Sequence, residues 1–139
     1  MTQRAWGAKS ASVLSTLDPR LQRLVTRIRD EVADISLLYG FRGKEEQDLF
    51  YATGRSKLPW PTSKHNSTPS LAVDFVTSPV NLKSAKLREE LAYVAGAAIA
   101  IAREEGYTLR WGGDWDRDGD LEDQKFDDLF HLEIHEDHT

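Results

Sequence analysis

Residues 71–76 read Leu-Ala-Val-Asp-Phe-Val, a run with the two-residue period of a β-strand. Leu71, Val73 and Phe75 fall on one face, and Ala72, Asp74 and Val76 on the other. Two further runs repeat the pattern. In Ile35–Arg42, alternation puts Ile35, Leu37, Tyr39 and Phe41 together, opposite Ser36, Leu38, Gly40 and Arg42. In Leu129–Ile134, Phe130, Leu132 and Ile134 oppose Leu129, His131 and Glu133. Tyr107–Trp111 reads as one more strand. Each apolar face needs a cover, and helical segments with apolar stripes supply it.

Asp18-Pro19 is a helix start, with Asp as N-cap and Pro in the first turn. Leu21, Leu24, Val25, Ile28 and Val32 then recur at helical spacing to about Ala33. Lys44–Thr53 reads as a short helix stopped by Gly54. Ser84–Glu105 reads as a long helix with Leu87, Leu91, Val94, Ala95, Ala98, Ile99 and Ala102 as its buried stripe, ended by Gly106. Residues 1–16 are expected to be a loosely ordered lead-in and 135–139 a tail. Helices and strands mix without a βαβ rhythm. The expected fold is therefore α+β: one domain over 1–139, with a small, mostly antiparallel sheet carrying helices on one face.

The chain has 139 residues and no cysteine. Disulfide scaffolds, thiolate metal sites and cysteine nucleophiles are excluded, so any metal must be held by His, Asp or Glu. Eighteen basic against 23 acidic residues give a net charge of −5, which argues against nucleic acid as partner, although the first 29 residues hold six Lys or Arg and one acid. The longest apolar run, Ala92–Ala102, is too short to span a bilayer, so no membrane association is expected. MTQRAWGAKSASVLSTLD lacks an apolar h-region, so no signal peptide is expected and the chain is placed in the cytoplasm where it is made. A monomer is expected.

If the apolar strand faces pack on helices, Arg42, Asp74 and His131 stand together on the open side of the sheet. On neighbouring strands, Asp74 and His131 would lie about 4.5–5.5 Å apart at Cβ. His65 lies in the long loop 54–70, GRSKLPWPTSKHNSTPS, and can fold over that face. His, Asp and His with a vacant fourth position is the donor set of a catalytic zinc. Such a site needs a base. Asp127 and Asp128 both precede His131, and strict strand parity favours Asp127.

Together, Ser63-Lys-His65, Ala72-Val-Asp74, Asp128-Leu-Phe-His131 and the Arg of Tyr39-Gly-Phe-Arg42 resemble the VanY/VanX-like zinc D-Ala-D-Ala peptidases. Within that group the chain is most similar to phage L-alanyl-D-glutamate endopeptidases, the small endolysins, over residues 17–135. The resemblance implies a Hedgehog/DD-peptidase-like fold with the zinc site on the face opposite the helices. It implies His65, Asp74 and His131 as zinc ligands and Asp128, not Asp127, as the base. It also implies Arg42 as the group that polarises the scissile carbonyl or steadies a substrate carboxylate. The implied substrate is the peptidoglycan stem peptide, cut at L-Ala–D-Glu after release from the host cytoplasm. The alternatives are a D-Ala-D-Ala carboxypeptidase and a non-catalytic, zinc-stabilised wall- or protein-binding module. The nine-residue separation of His65 and Asp74 is longer than the H-x6-D of many members.

A second motif is Asp114-Trp-Asp116-Arg-Asp118-Gly-Asp120-Leu-Glu-Asp123, whose alternating carboxylates suit Ca²⁺ or an ordinary solvated acidic turn. Its twelfth position is Lys125 where an EF-hand has Glu. Trp60 is either a substrate wall or a pin for its loop. Ser63, on the same candidate wall, braces the loop more readily than it attacks. Glu133 either supports a ligand or is an exposed strand residue. His135 and His138 read as solvated tail. Arg4, Lys9 and the basic first helix are a solvated face or a contact for anionic wall polymers.

Overall fold

The computed structural model describes residues 5–122 and 127–136. In chain order these form α1 (Ala8–Leu14), α2 (Pro19–Glu31), β1 (Ile35–Tyr39), α3 (Lys44–Ala52), a 3-10 turn (Lys64–Asn66), β2 (Ala72–Thr77), α4 (Leu87–Glu104), β3 (Thr108–Gly112) and β4 (Asp128–His135). The four strands make one antiparallel sheet in the order β1-β2-β4-β3. The fold is α+β.

One face of the sheet carries the core. Ile35 and Leu37 of β1, Val73 and Phe75 of β2, Leu109 and Trp111 of β3, and Leu132 and Ile134 of β4 are all buried there. The stripes of α2 (Leu21, Leu24, Val25, Ile28) and α4 (Leu91, Val94, Ala95, Ala98, Ala102) cover them. α4 runs across β2, β4 and β3, and α2 packs against α4. The small residues of α4 let it approach closely, and each fully buried Leu or Phe contributes about 1.5–3 kcal/mol. α2 begins as expected: Asp18 Oδ1 accepts from Arg20 N at 2.8 Å, with Pro19 at the first helical position.

Three expectations change. The lead-in is not loose throughout, because α1 forms over Ala8–Leu14 and packs on β1, where Ser10 Oγ accepts from Leu37 N at 3.0 Å. The strand expected to reach Arg42 ends at Tyr39. A register shift between Leu37 and Tyr39 rotates Tyr39 onto the polar face, opposite Asp74. The long helix starts at Leu87, since the segment before it turns on Asn81 and Ser84. No helix among the described residues is long and apolar enough to cross a membrane.

Candidate metal centre

On the sheet's open face, Asp74 and His131 are direct cross-strand partners. His65 reaches them from the 3-10 turn, which Ser63 caps: its Oγ accepts from His65 N, while Asn66 Oδ1 accepts from Ser63 N. His65 Nε2 is 3.2 Å from His131 Nδ1 and 3.3 Å from Asp74 Oδ1, and His131 Nδ1 is 3.2 Å from Asp74 Oδ1. These three are a group able to hold a metal ion. All three residues are buried.

The outer nitrogens explain how the inner ones are set. His65 Nδ1 lies 2.7 Å from Gly40 O, a carbonyl that only accepts, so Nδ1 carries the proton. His131 Nε2 lies 2.8 Å from Glu133 Oε1 and likewise donates. Glu133 stays an acceptor: burial pushes its carboxyl pKa up, but His131 and Arg110 together hold it down. In the neutral imidazoles, two nitrogen lone pairs and a carboxylate oxygen therefore converge with no donor among them. A tetrahedral ion with bonds of about 2.0–2.1 Å has ligand–ligand edges of about 3.3–3.4 Å. The observed triangle fits such an ion. Burial pushes the Asp74 pKa up, but the two imidazoles outweigh it and hold the carboxyl well below the usual range. Burial lowers the His131 pKa, and the bonds to Asp74 and Glu133 outweigh that and push it up to about 10. Unless a cation takes its place, the acceptor triangle binds a proton tightly.

Gly40 can present its carbonyl only because it lacks a side chain. A Cβ there would run into Thr16 Oγ1 and Leu17 Cδ2 at the α1–α2 junction. Arg42 follows, buried, with its N–H donating to His65 O at 2.7 Å. Arg42 Nη1 donates to Gln47 Oε1 at 3.0 Å, and Nη2 lies 3.9 Å from Asp74 Oδ2. The guanidinium carbon is 4.2 Å from the centre of the Phe50 ring. Burial pulls the Arg42 pKa down, and Asp74, Glu46 and Asp128 oppose that. Gln47, fully buried, also accepts from Asn66 Nδ2 and donates to Ser56 Oγ at 3.0 Å and Leu58 O at 2.6 Å. Sequence reasoning missed Gln47 and Asn66. The available signal for Gln47 was its position three residues before Phe50, on the same face of α3.

A cleft of about 380 Å³ opens over the triangle, lined among others by Tyr39, Arg42, Ser63, Trp115 and Asp128. Asp128 Oδ2 is 4.0 Å from His131 Nδ1. Burial and the neighbouring Asp74 carboxylate push the Asp128 pKa up. Asp127 instead points out and pairs with Arg88 at 3.2 Å. Parity misleads here because β4 bulges. Trp111 pairs with Leu132, but the next residue, Gly112, pairs with Asp128. Gly112 has no room for a Cβ against the Asp128 backbone carbonyl. Glu133 is buried and joins Arg110 Nη2, 2.8 Å away, to His131. Trp115, which sequence reasoning did not single out, lies 5.4 Å from the His131 ring and lines the cleft. Trp60 is half-buried and is not among the cleft-lining residues.

In the acidic loop, Asp114, Asp116 and Asp118 approach one another. Their carboxylates mostly turn back on the loop's own backbone: Asp114 accepts from Gly119 N, Asp116 from Asp118 N, and Asp118 from Asp120 N. Asp120 in turn accepts from Glu122 N. Asp114 Oδ1 is left buried without a partner. Exposed carboxylates cluster in this way without an ion, and calcium is not assigned. Asp123, Lys125, Arg4 and His138 lie outside the described residues. His135 ends β4. The basic helix expected first in the chain is α2, and it is largely spent on ion pairs: Arg20 with Asp18, Arg27 with Glu31 and Glu105, and Arg29 with Asp34.

A solved L-Ala D-Glu endopeptidase, ChiX of Serratia marcescens, is similar to this chain with a TM-score of 0.72 and 25% identity, over 96% of this chain and 91% of that one. No curated protein matches it significantly. The family model for phage L-alanyl-D-glutamate peptidases matches residues 2–135, which include every residue of the triangle together with Arg42 and Asp128. The chain belongs to the phage L-alanyl-D-glutamate peptidase family.

Proposed function

We propose that this chain is a zinc-dependent peptidoglycan endopeptidase that hydrolyses the L-Ala–D-Glu bond of the stem peptide. The carrying observation is the buried triangle of three acceptors, His65 Nε2, Asp74 Oδ1 and His131 Nδ1, with edges of 3.2–3.3 Å. Zinc bound there would supply a Lewis acid and lower the pKa of a water.

The chain's own groups do the rest. Asp128, beside the triangle and with its pKa raised, takes a proton from the attacking water and later delivers it to the leaving amine. Arg42 donates to the oxygen on which negative charge develops, and its burial strengthens that interaction. Gln47 holds Arg42 in place, Glu133 and Gly40 fix the tautomers of His131 and His65, and Trp115 screens the site on one side. The protein acts on the wall after leaving the cytoplasm of an infected cell.

The test is mass spectrometry of ends released from purified peptidoglycan. New N-terminal D-Glu ends, lost on chelation and regained with zinc, are expected. Release of free D-Ala, or chelator-resistant cleavage, would overturn the assignment.

A further inference from the structure

α3 ends in a local motif that aims a cation into the cleft. Gly54 adopts a positive φ of 77°. Gly54 N donates to Tyr51 O and Arg55 N to Phe50 O, at 3.3 and 2.8 Å. This is the paired bonding of a Schellman cap, in which the residue after the glycine folds back over the helix's last turn. The usual contact there is apolar. Here the Arg55 guanidinium carbon sits 4.1 Å from the centre of the Phe50 ring. Arg42 stands 4.2 Å from the same centre, so the two guanidinium carbons are at most about 8 Å apart. Arg55 is therefore held in position by its backbone and its ring before any ligand arrives.

Arg55 also lacks what most of the described arginines have. Arg20, Arg27, Arg29, Arg42, Arg88 and Arg110 all face carboxylates. Among the described residues no carboxylate pairs with Arg55 or with Lys64, and both line the cleft. The acids of the cleft, Asp74, Asp128 and Glu133, are engaged around the triangle. In a chain with net charge −5, that leaves one arm of the cleft with unneutralised positive charge.

Building on the proposed function, we infer that Arg55 recognises the free carboxylate of the glutamyl residue on the leaving side of the scissile bond. A glutamyl residue within a chain uses one carboxyl for its peptide link and keeps the other free. In a γ-linked residue the free α-carboxylate is two bonds from the scissile nitrogen. One residue spans about 3.5 Å, so a group within about 8 Å of Arg42 is in reach. A fork of N–H donors pairs with both oxygens and the charge of a carboxylate, whereas a carboxamide offers it one neutral acceptor oxygen. Arg55 thereby selects stem peptides whose glutamyl carboxylate is not amidated.

The test compares two synthetic stem peptides, L-Ala–D-Glu–L-Lys linked through the γ-carboxyl, with the α-group as carboxylate or as carboxamide. The wild-type protein loaded with zinc is expected to cut the carboxylate form with about five- to tenfold higher kcat/KM. Arg55→Gln should bring that ratio to about one, mainly through KM, while Lys64→Gln keeps it. Taking the ratio cancels any general loss from disturbed packing on Phe50. Equal cleavage of both peptides by the wild type, or an Arg55→Gln protein that keeps the preference, would overturn the inference and leave the peptidase reading standing. Cleavage of neither peptide would overturn both.

Discussion

Replacing Gln47 by Leu tests whether the active cleft depends on one buried amide. The side-chain volume is nearly kept, so the cavity contribution is small and the polar one dominates. Gln47 makes four hydrogen bonds, and their partners lose unequally. Asn66 Nδ2 retains Arg42 O at 3.0 Å, and Ser56 Oγ retains Leu58 N. Arg42 Nη1 retains nothing of its own, and Arg42 Nε is already buried without a hydrogen bond. Stranding a buried charged donor costs about 1–3 kcal/mol, and the loss at Leu58 O adds about 1 kcal/mol. The total is about 2–4 kcal/mol. For a chain of this size each kcal/mol moves Tm by about 2–5 °C, so a fall of about 5–15 °C is expected by scanning calorimetry. Activity should fall further than stability explains, because Arg42 loses the bond that aims it. Gln47→Glu, which can still accept from Arg42, should recover part of both. A Gln47→Leu protein that melts within 2 °C of wild type and cleaves normally would refute this reasoning.

Four other outcomes follow from the same geometry. Asp128→Asn should lower kcat about 10²–10⁴-fold while zinc content, read by metal analysis, stays the same. Glu133→Gln disturbs the acceptor for His131 Nε2 and should weaken zinc binding about 10–100-fold in a chelator competition. Gly112→Ala should destabilise the fold and reduce activity, because the added carbon meets the Asp128 backbone; thermal melting and peptidoglycan turbidity assays read the two. Asp18→Ala should cost about 1 kcal/mol at neutral pH in urea titrations. Arg20 holds the Asp18 pKa below its ordinary 3.8, so that stabilisation is full above the ordinary value and fades as pH falls through the lowered one.

The sheet's polar face was legible because strand alternation is strict where one side is buried. Val73 and Phe75 could not face the core without turning Asp74 outward, and Leu132 did the same for His131. Parity failed where the ladder is irregular. The register shift after Leu37 moved Tyr39 into the cleft, and the bulge before Leu132 let Asp128 share a side with His131. Neither carries a local sequence signal beyond Gly112. The braces were hidden for a different reason. Gln47 and Asn66 read as surface residues by type, and only the tertiary arrangement brings Arg42, Ser56 and Leu58 to them. Trp60 was left open between wall and pin, and Trp115 unremarked, because a loop's final direction is not written in its composition. α1 was missed because its burial is slight, with Ser10 its buried residue.

The most direct measurement is zinc stoichiometry against cleavage rate on one preparation, titrated from metal-free to saturated. The account predicts no cleavage without zinc, a rate that rises in proportion to occupancy, and a plateau at one zinc per chain that His131→Ala abolishes. Full cleavage by the metal-free protein, or a plateau unaffected by His131→Ala, would contradict it.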